Sequence, residues 1–156
     1  MTHPDTLPDQ VARICAAHAG REGPLLPILH DVQASFGHVP AGAVPVITEA
    51  LNLTRAEVHG VMSFYHDFRD APAGRHVVKI CRSEACQAVG ADASIAAAEA
   101  ALGVRMGGTT ADGAVTLEPV YCLGLCACGP AALVDGEVVG RVDAARAEAI
   151  VKGLRT

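Results

Sequence analysis

Two groups of cysteines constrain this chain more than any other feature. Cys81 and Cys86 stand in ICRSEAC, and Cys122, Cys126 and Cys128 in CLGLCAC. HVVKIC, residues 76 to 81, reads as a strand ending at a cysteine, and VTLEPVYC, residues 115 to 122, reads as a second. Both cysteine pairs are therefore expected in loops at strand ends, where two neighbouring strands would bring four sulfurs together. The chain holds six cysteines. Its polar start, MTHPDTLPDQ, with two prolines, does not read as an export signal, so a cytoplasmic protein is expected. In that setting the cysteines point to metal or redox chemistry rather than a disulfide framework.

Spacing narrows the chemistry. Structural zinc sites favour C-x2-C, a tight turn that closes two sulfurs on one small ion. C-x4-C and C-x3-C are wider and suit a [2Fe–2S] rhomb with two thiolates on each iron. The plant-type ferredoxin run also opens with C-x4-C, but its third cysteine falls where this chain has Val89. No C-x-x-C is present, which argues against a thioredoxin-type dithiol. Cys81, Cys86, Cys122 and Cys126 are thus the expected ligands. Cys128 follows Cys126 by two residues and, on an extended chain, would point to the other face. Cys15 falls on an apolar helix face and reads as a core residue. Gly124 and Gly129 would let backbone N–H groups approach the cluster, while Arg82 and Glu84 read as solvated loop charge. Two other classes stay open: a zinc-stabilised interaction module on the same four thiols, and a metal-free thiol-redox or peroxide-sensing protein working through Cys126 and Cys128.

The remaining sequence divides at DAPAGR, residues 70 to 75. Before it, apolar residues recur at helical spacing in four stretches. The first runs from Leu7 through Val11 and Ile14 to His18, behind Thr6 as a cap. The second runs from Leu25 to Phe36 with Gly37 as its stop, and the third from Ala43 to Leu51. The fourth opens on a capping box, Thr54 with Glu57, and Leu53 can staple onto Val58. This predicts a helical bundle over residues 1–70. Residues 71–156 read as β-α-β-β-α: the strand to Cys81, a helix over 92 to 102 capped by Asp92, the strand to Cys122 with Pro119 at an edge, a hairpin turning at Asp135-Gly136, and a helix opened by Asp143. The fold class expected is α+β. No apolar run approaches the roughly 18 residues of a membrane span. The net charge of -5 with no basic run argues against nucleic acid. The histidines show no ligand spacing, with His59 and His66 read as structural. No nucleophile–base set or glycine-rich phosphate loop appears, so no catalytic residue is expected.

CRSEACQAVGA and GGTTADGAVTLEPVYCLGLCACGPAALVDGEVVGRV, with the HGVMSFYHDF segment upstream, resemble the thioredoxin-like [2Fe–2S] ferredoxin subunits of NADH dehydrogenase complexes and their relatives. The resemblance implies a thioredoxin-like second domain holding one [2Fe–2S] cluster on Cys81, Cys86, Cys122 and Cys126, with Pro130 as a candidate cis-proline. It also implies a helical first domain that docks on an FMN- and NAD-binding flavoprotein subunit. SEACQ and YHDFR are most similar to the gamma subunit of NAD-dependent formate dehydrogenases. In such a complex, formate is oxidised at a molybdenum cofactor in a large subunit. The respiratory NADH dehydrogenase and bidirectional hydrogenase subunits are the alternatives within the family.

Overall fold

Residues 6–155 are described by a computed structural model, which opens on Thr6 as the cap of helix α1 (Leu7–Ala17). The polar opening from Met1 to Asp5, on which the expectation about targeting partly rests, lies outside the described residues. Thr6 and Asp9 bond reciprocally, side chain to backbone, and Thr54 and Glu57 repeat the arrangement at helix α4 (Arg55–Phe64). Such caps satisfy amide groups that the first turn cannot, each contributing about 1 kcal/mol. Helix α2 (Leu25–Phe36) ends at Gly37, whose φ of +75° suits glycine, and α3 (Ala43–Leu51) ends at Asn52, also left-handed.

The chain divides into two compact units, Met1–Pro72 and Ala73–Thr156. The first packs α1 to α4 around Val11, Ile28, Leu29, Val32, Ile47 and Val58, and Leu53 packs against the same core. Cys15 belongs to this core, as expected of a small apolar side chain. His18 departs from the expected apolar stripe. It caps α1 and its Nε2 lies 2.6 Å from the Asp31 carboxylate on α2. His59 and His66 are both exposed, so neither serves as a packed structural histidine.

The second unit carries a four-stranded sheet in the order β2-β1-β3-β4. Strands β1 (His76–Cys81) and β2 (Val115–Val120) run parallel with Cys81 opposite Val120. Strand β3 (Ala132–Val134) runs antiparallel to β1, and β4 (Glu137–Val139) antiparallel to β3. Asp135 (φ +50°) and Gly136 (φ +90°) form the two-residue turn, in the doubly left-handed conformation such hairpins favour. Helices α6 (Ala91–Leu102) and α7 (Ala144–Gly153) complete the unit. Val78, Ile80, Val115, Leu117, Ala98, Ala147 and Val151 form its main core. The buried Ser94 on α6 ties into it, its Oγ donating to the Val142 carbonyl at 2.6 Å. Among the described residues no helix is long and apolar enough to cross a membrane.

The observed order is β-α-α-β-β-β-α, one strand and one helix more than the β-α-β-β-α outline, because the hairpin supplies both β3 and β4. A short helix α5 (Glu84–Ala88) follows β1, where the sequence pattern predicts only a loop. Asp92 does not cap α6. Gly90, left-handed at φ +98°, takes the cap position without a side-chain bond, and Asp92 lies in the first turn. Strand β2 stops at Val120, two residues before the cysteine expected to end it. Pro119 does lie on an edge strand. Backbone bonds from residues 107 to 110 cover the outer side of β2 only as far as Leu117, so the missing proline N–H interrupts no pairing there.

Candidate metal centre

All four expected ligands converge at the end of the sheet where β1 and β2 finish. Cys81 is the last residue of β1 and is 1 % exposed; its backbone N–H donates to Ala131 O and thereby fixes the loop before β3. Cys86 lies on α5 and is 2 % exposed. The five residues of α5 are held at its start by Ser83, whose carbonyl accepts from the N–H groups of Cys86 and Gln87. SEACQA, a serine followed by helix-forming residues, is the signal that could have revealed this turn. Ala91 and Ala131 complete a small apolar cluster around the two buried sulfurs, with Val120, Leu123 and Leu125 at its margin.

Cys122 and Cys126 are exposed by comparison. Cys122 has a φ of +69°, a conformation that costs a non-glycine residue on the order of 1 kcal/mol. Its sulfur lies 3.9 Å from that of Cys126, and its backbone N–H favours the Cys81 thiolate across the two cysteine loops. Cys126 and Cys128 share a 3₁₀ turn, so the extended chain that would send Cys128 to the opposite face is not what forms. Cys128 is not among the cysteines that act on Cys81, Cys86 or Cys126. Its Cβ packs against Gly140, where an added methyl would lie 3.1 Å from it.

The electrostatics are those of coupled thiols. Burial opposes ionisation of Cys81, but N–H groups of Ser83 and Cys122 and the Cys86 thiol donate to its sulfur and hold it below the ordinary thiol range. Burial and then the neighbouring Cys81 push Cys86 up, although the Ala131 N–H favours its thiolate. Cys122 pushes Cys126 up, and Cys126 also feels the charge of Cys81. Cys86 and Cys126 therefore cost more to ionise beside their cysteine neighbours. The charged side chains between the first two ligands, Arg82 and Glu84, are exposed, as expected of solvated charge.

This donor set fits a [2Fe–2S] cluster. Two sulfurs about 2.3 Å from one metal at a tetrahedral angle are about 3.8 Å apart, close to the 3.9 Å between Cys122 and Cys126. Cys81 and Cys86, buried in one cluster and each acting on the other's ionisation, form the second pair. Among the described residues no three such groups converge as a single ion would require. Backbone N–H groups of Ser83, Cys122 and Ala131 favour the thiolates of Cys81 and Cys86, as the sulfur-directed hydrogen bonds that tune such centres do.

The two glycines near the site differ in kind. Gly124 has a φ of +77° and open space where a side chain would go, so its role is conformational. Gly129 has an ordinary extended backbone, φ -67° and ψ 162°, and is crowded instead. The Gly129-Pro130 bond is cis, as the candidate proline required.

The chain is similar to known proteins over most of its length. The family model described as thioredoxin-like [2Fe-2S] ferredoxin matches residues 11–155. A subunit of the NADH-quinone oxidoreductase of Rhizobium meliloti is 32% identical over 150 residues, covering 96% of this chain and 89% of the relative. The corresponding NADH-quinone oxidoreductase subunit of Pseudomonas aeruginosa is 40% identical over 114 residues, covering 73% and 69%. The NADP-reducing hydrogenase subunit HndA of Solidesulfovibrio fructosivorans is 31% identical over 139 residues, covering 89% and 81%. Among solved structures, an NAD+-reducing [NiFe]-hydrogenase in the air-oxidized state matches with a TM-score of 0.72 and 29% identity; the match covers 85% of this chain but only 23% of that one.

Proposed function

The chain belongs to the thioredoxin-like [2Fe–2S] ferredoxin family, and from that premise we propose that Cys81, Cys86, Cys122 and Cys126 hold one cluster through which single electrons enter and leave an oxidoreductase complex. The observation that carries this reading is the meeting of two cysteine pairs from separate loops: Cys81 and Cys86 share one buried cluster with Leu123 and Leu125 at its margin, and the Cys122 and Cys126 sulfurs lie 3.9 Å apart. When bound, a [2Fe–2S] cluster supplies one-electron oxidation and reduction without moving a bond in the protein. The chain's own part is to fix four thiolates, to keep water from Cys81 and Cys86, and to direct backbone N–H groups at sulfur. Visible and EPR spectra before and after dithionite, with iron analysis, test it. About two irons per chain and a signal appearing on reduction are expected. A colourless protein holding one zinc would sink it in favour of the interaction module.

The partner is an FMN- and NAD-binding flavoprotein subunit, gripped by the helical unit. Within this role we propose the formate version, in which a molybdenum-containing large subunit oxidises formate and the complex makes CO2 and NADH from formate and NAD+. Its support is SEACQ about Cys86 and YHDFR at residues 65–69. The second reading is the equivalent subunit of an NADH-quinone oxidoreductase or a hydrogenase, which the names of the relatives favour. Purification of the native complex distinguishes them: molybdenum with formate-dependent NAD+ reduction supports the first, while quinone-reducing or nickel-containing subunits support the second.

A further inference from the structure

Gly129 occupies a crowded position that its backbone angles do not explain. At φ -67° any residue could stand there. A Cβ built on it would lie 3.0 Å from Cγ2 of Val89 and 3.5 Å from both the Cys86 sulfur and the Cys126 carbonyl oxygen. The same face of one backbone position therefore meets a Val89 methyl and a ligand sulfur. Val89 itself follows α5 directly, three residues after Cys86, and its N–H closes that helix on the Cys86 carbonyl. It is 54% exposed although apolar, whereas Cys86 beneath it is 2% exposed. An apolar side chain half in water, with its inner methyl against the residue that flanks a buried thiol, is placed as a cover.

We propose that Val89, seated on Gly129, is the side chain that excludes water from Cys86, and that glycine is required at 129 to let Val89 close. Both are positioning residues. The redox consequence rests on the cluster proposed above. A reduced [2Fe–2S] centre carries one more negative charge than the oxidised one. Admitting water or a hydroxyl at this sulfur therefore favours the reduced form and raises the midpoint potential. The steric consequence does not depend on a cluster. A methyl at 129 must push Val89 outward, and a smaller residue at 89 should relieve that push.

Two measurements on the full chain separate these. In metal-free protein, alkylation by iodoacetamide is followed at each cysteine by peptide mass spectrometry, with exposed Cys122 as the internal reference. Val89→Ala and Gly129→Ala should each speed alkylation of Cys86 several-fold with Cys122 unchanged. The double variant should be no worse than Val89→Ala alone, because the new methyl fills the space the valine left. In iron-loaded protein, Val89→Thr keeps the shape and adds a hydroxyl. It should raise the midpoint potential in an EPR-monitored titration, with iron content unchanged. The proposal is overturned if Cys86 in Val89→Ala is alkylated no faster than in the parent. It is equally overturned if the effects of the two single variants simply add. A parent protein that takes up no iron would count against the proposed function, and the alkylation rates would still judge the cover.

Discussion

At the scale of single residues, the four thiols differ sharply from the other two cysteines. Cys15 is enclosed by helix side chains and Cys128 packs against Gly140, neither among the paired sulfurs. Replacing Cys81, Cys86, Cys122 or Cys126 with serine should abolish or weaken cluster uptake, since each iron needs both its thiolates. Cys15→Ser and Cys128→Ser should keep about two irons per chain; loss of iron in Cys128→Ser with retention in Cys126→Ser would reverse the assignment. A second residue-scale prediction concerns pH. Thr110 Oγ–H and the Ala114 N–H donate to Asp112, Arg155 lies beside it, and together they hold its carboxyl at about 2. A carboxyl depressed on folding stabilises the protein above its unfolded pKa of roughly 4 and stops doing so as pH falls through the folded value. Asn resembles the protonated acid. Urea unfolding of metal-free protein should therefore show Asp112→Asn less stable than the parent at pH 7, with the difference shrinking below about pH 4 and gone near pH 2.

At the scale of elements, helix α6 is held to the sheet by more than its small side chains. Ala91 and Ala98 bury little area, so the Ser94 hydroxyl on the Val142 carbonyl carries weight in fixing the helix against the segment between β4 and α7. Both groups are buried, and removing the donor leaves the carbonyl without its partner. Ser94→Ala should cost about 1–3 kcal/mol. In a urea titration this appears as a lower midpoint with an unchanged slope; an unchanged midpoint would mean the carbonyl finds another donor. The short α5 is a different case. Five residues cannot sustain a helix alone, and its persistence depends on Cys86 being buried against Ala91 and Ala131.

At the scale of the whole molecule, each unit closes its own core. The first draws on residues between Val11 and Phe68, and the second on residues between Val78 and Val151. All four proposed ligands lie in the second. A chain beginning near Pro72 should therefore fold and show the [2Fe–2S] spectrum, while losing stable association with the flavoprotein subunit if the helices do the gripping. Iron analysis and pull-down on one preparation would check both halves of this expectation. A truncated chain that holds no iron would make the helices part of the cluster unit's fold. One that binds the flavoprotein as tightly as the full chain would place docking on the cysteine loops.

Local pattern determined much of this protein. Helical spacing from Leu7 to Leu51, the Thr54–Glu57 box, the Asp135-Gly136 turn and the C-x4-C and C-x3-C pairs each depend on residues a few positions apart, so the sequence alone exposes them. The tertiary structure decided what depends on distant neighbours. Glu84–Ala88 becomes helical because Cys86 has a buried place to go. Cys122 turns left-handed where its sulfur comes within 3.9 Å of that of Cys126, beside a Cys81 that stands 41 positions back along the chain. Gly129 reads from sequence as a glycine that lets backbone N–H groups approach the cluster. Only packing shows that a methyl there would meet Val89 and a ligand sulfur, since steric exclusion exists between side chains that the fold, and not the local sequence, brings together.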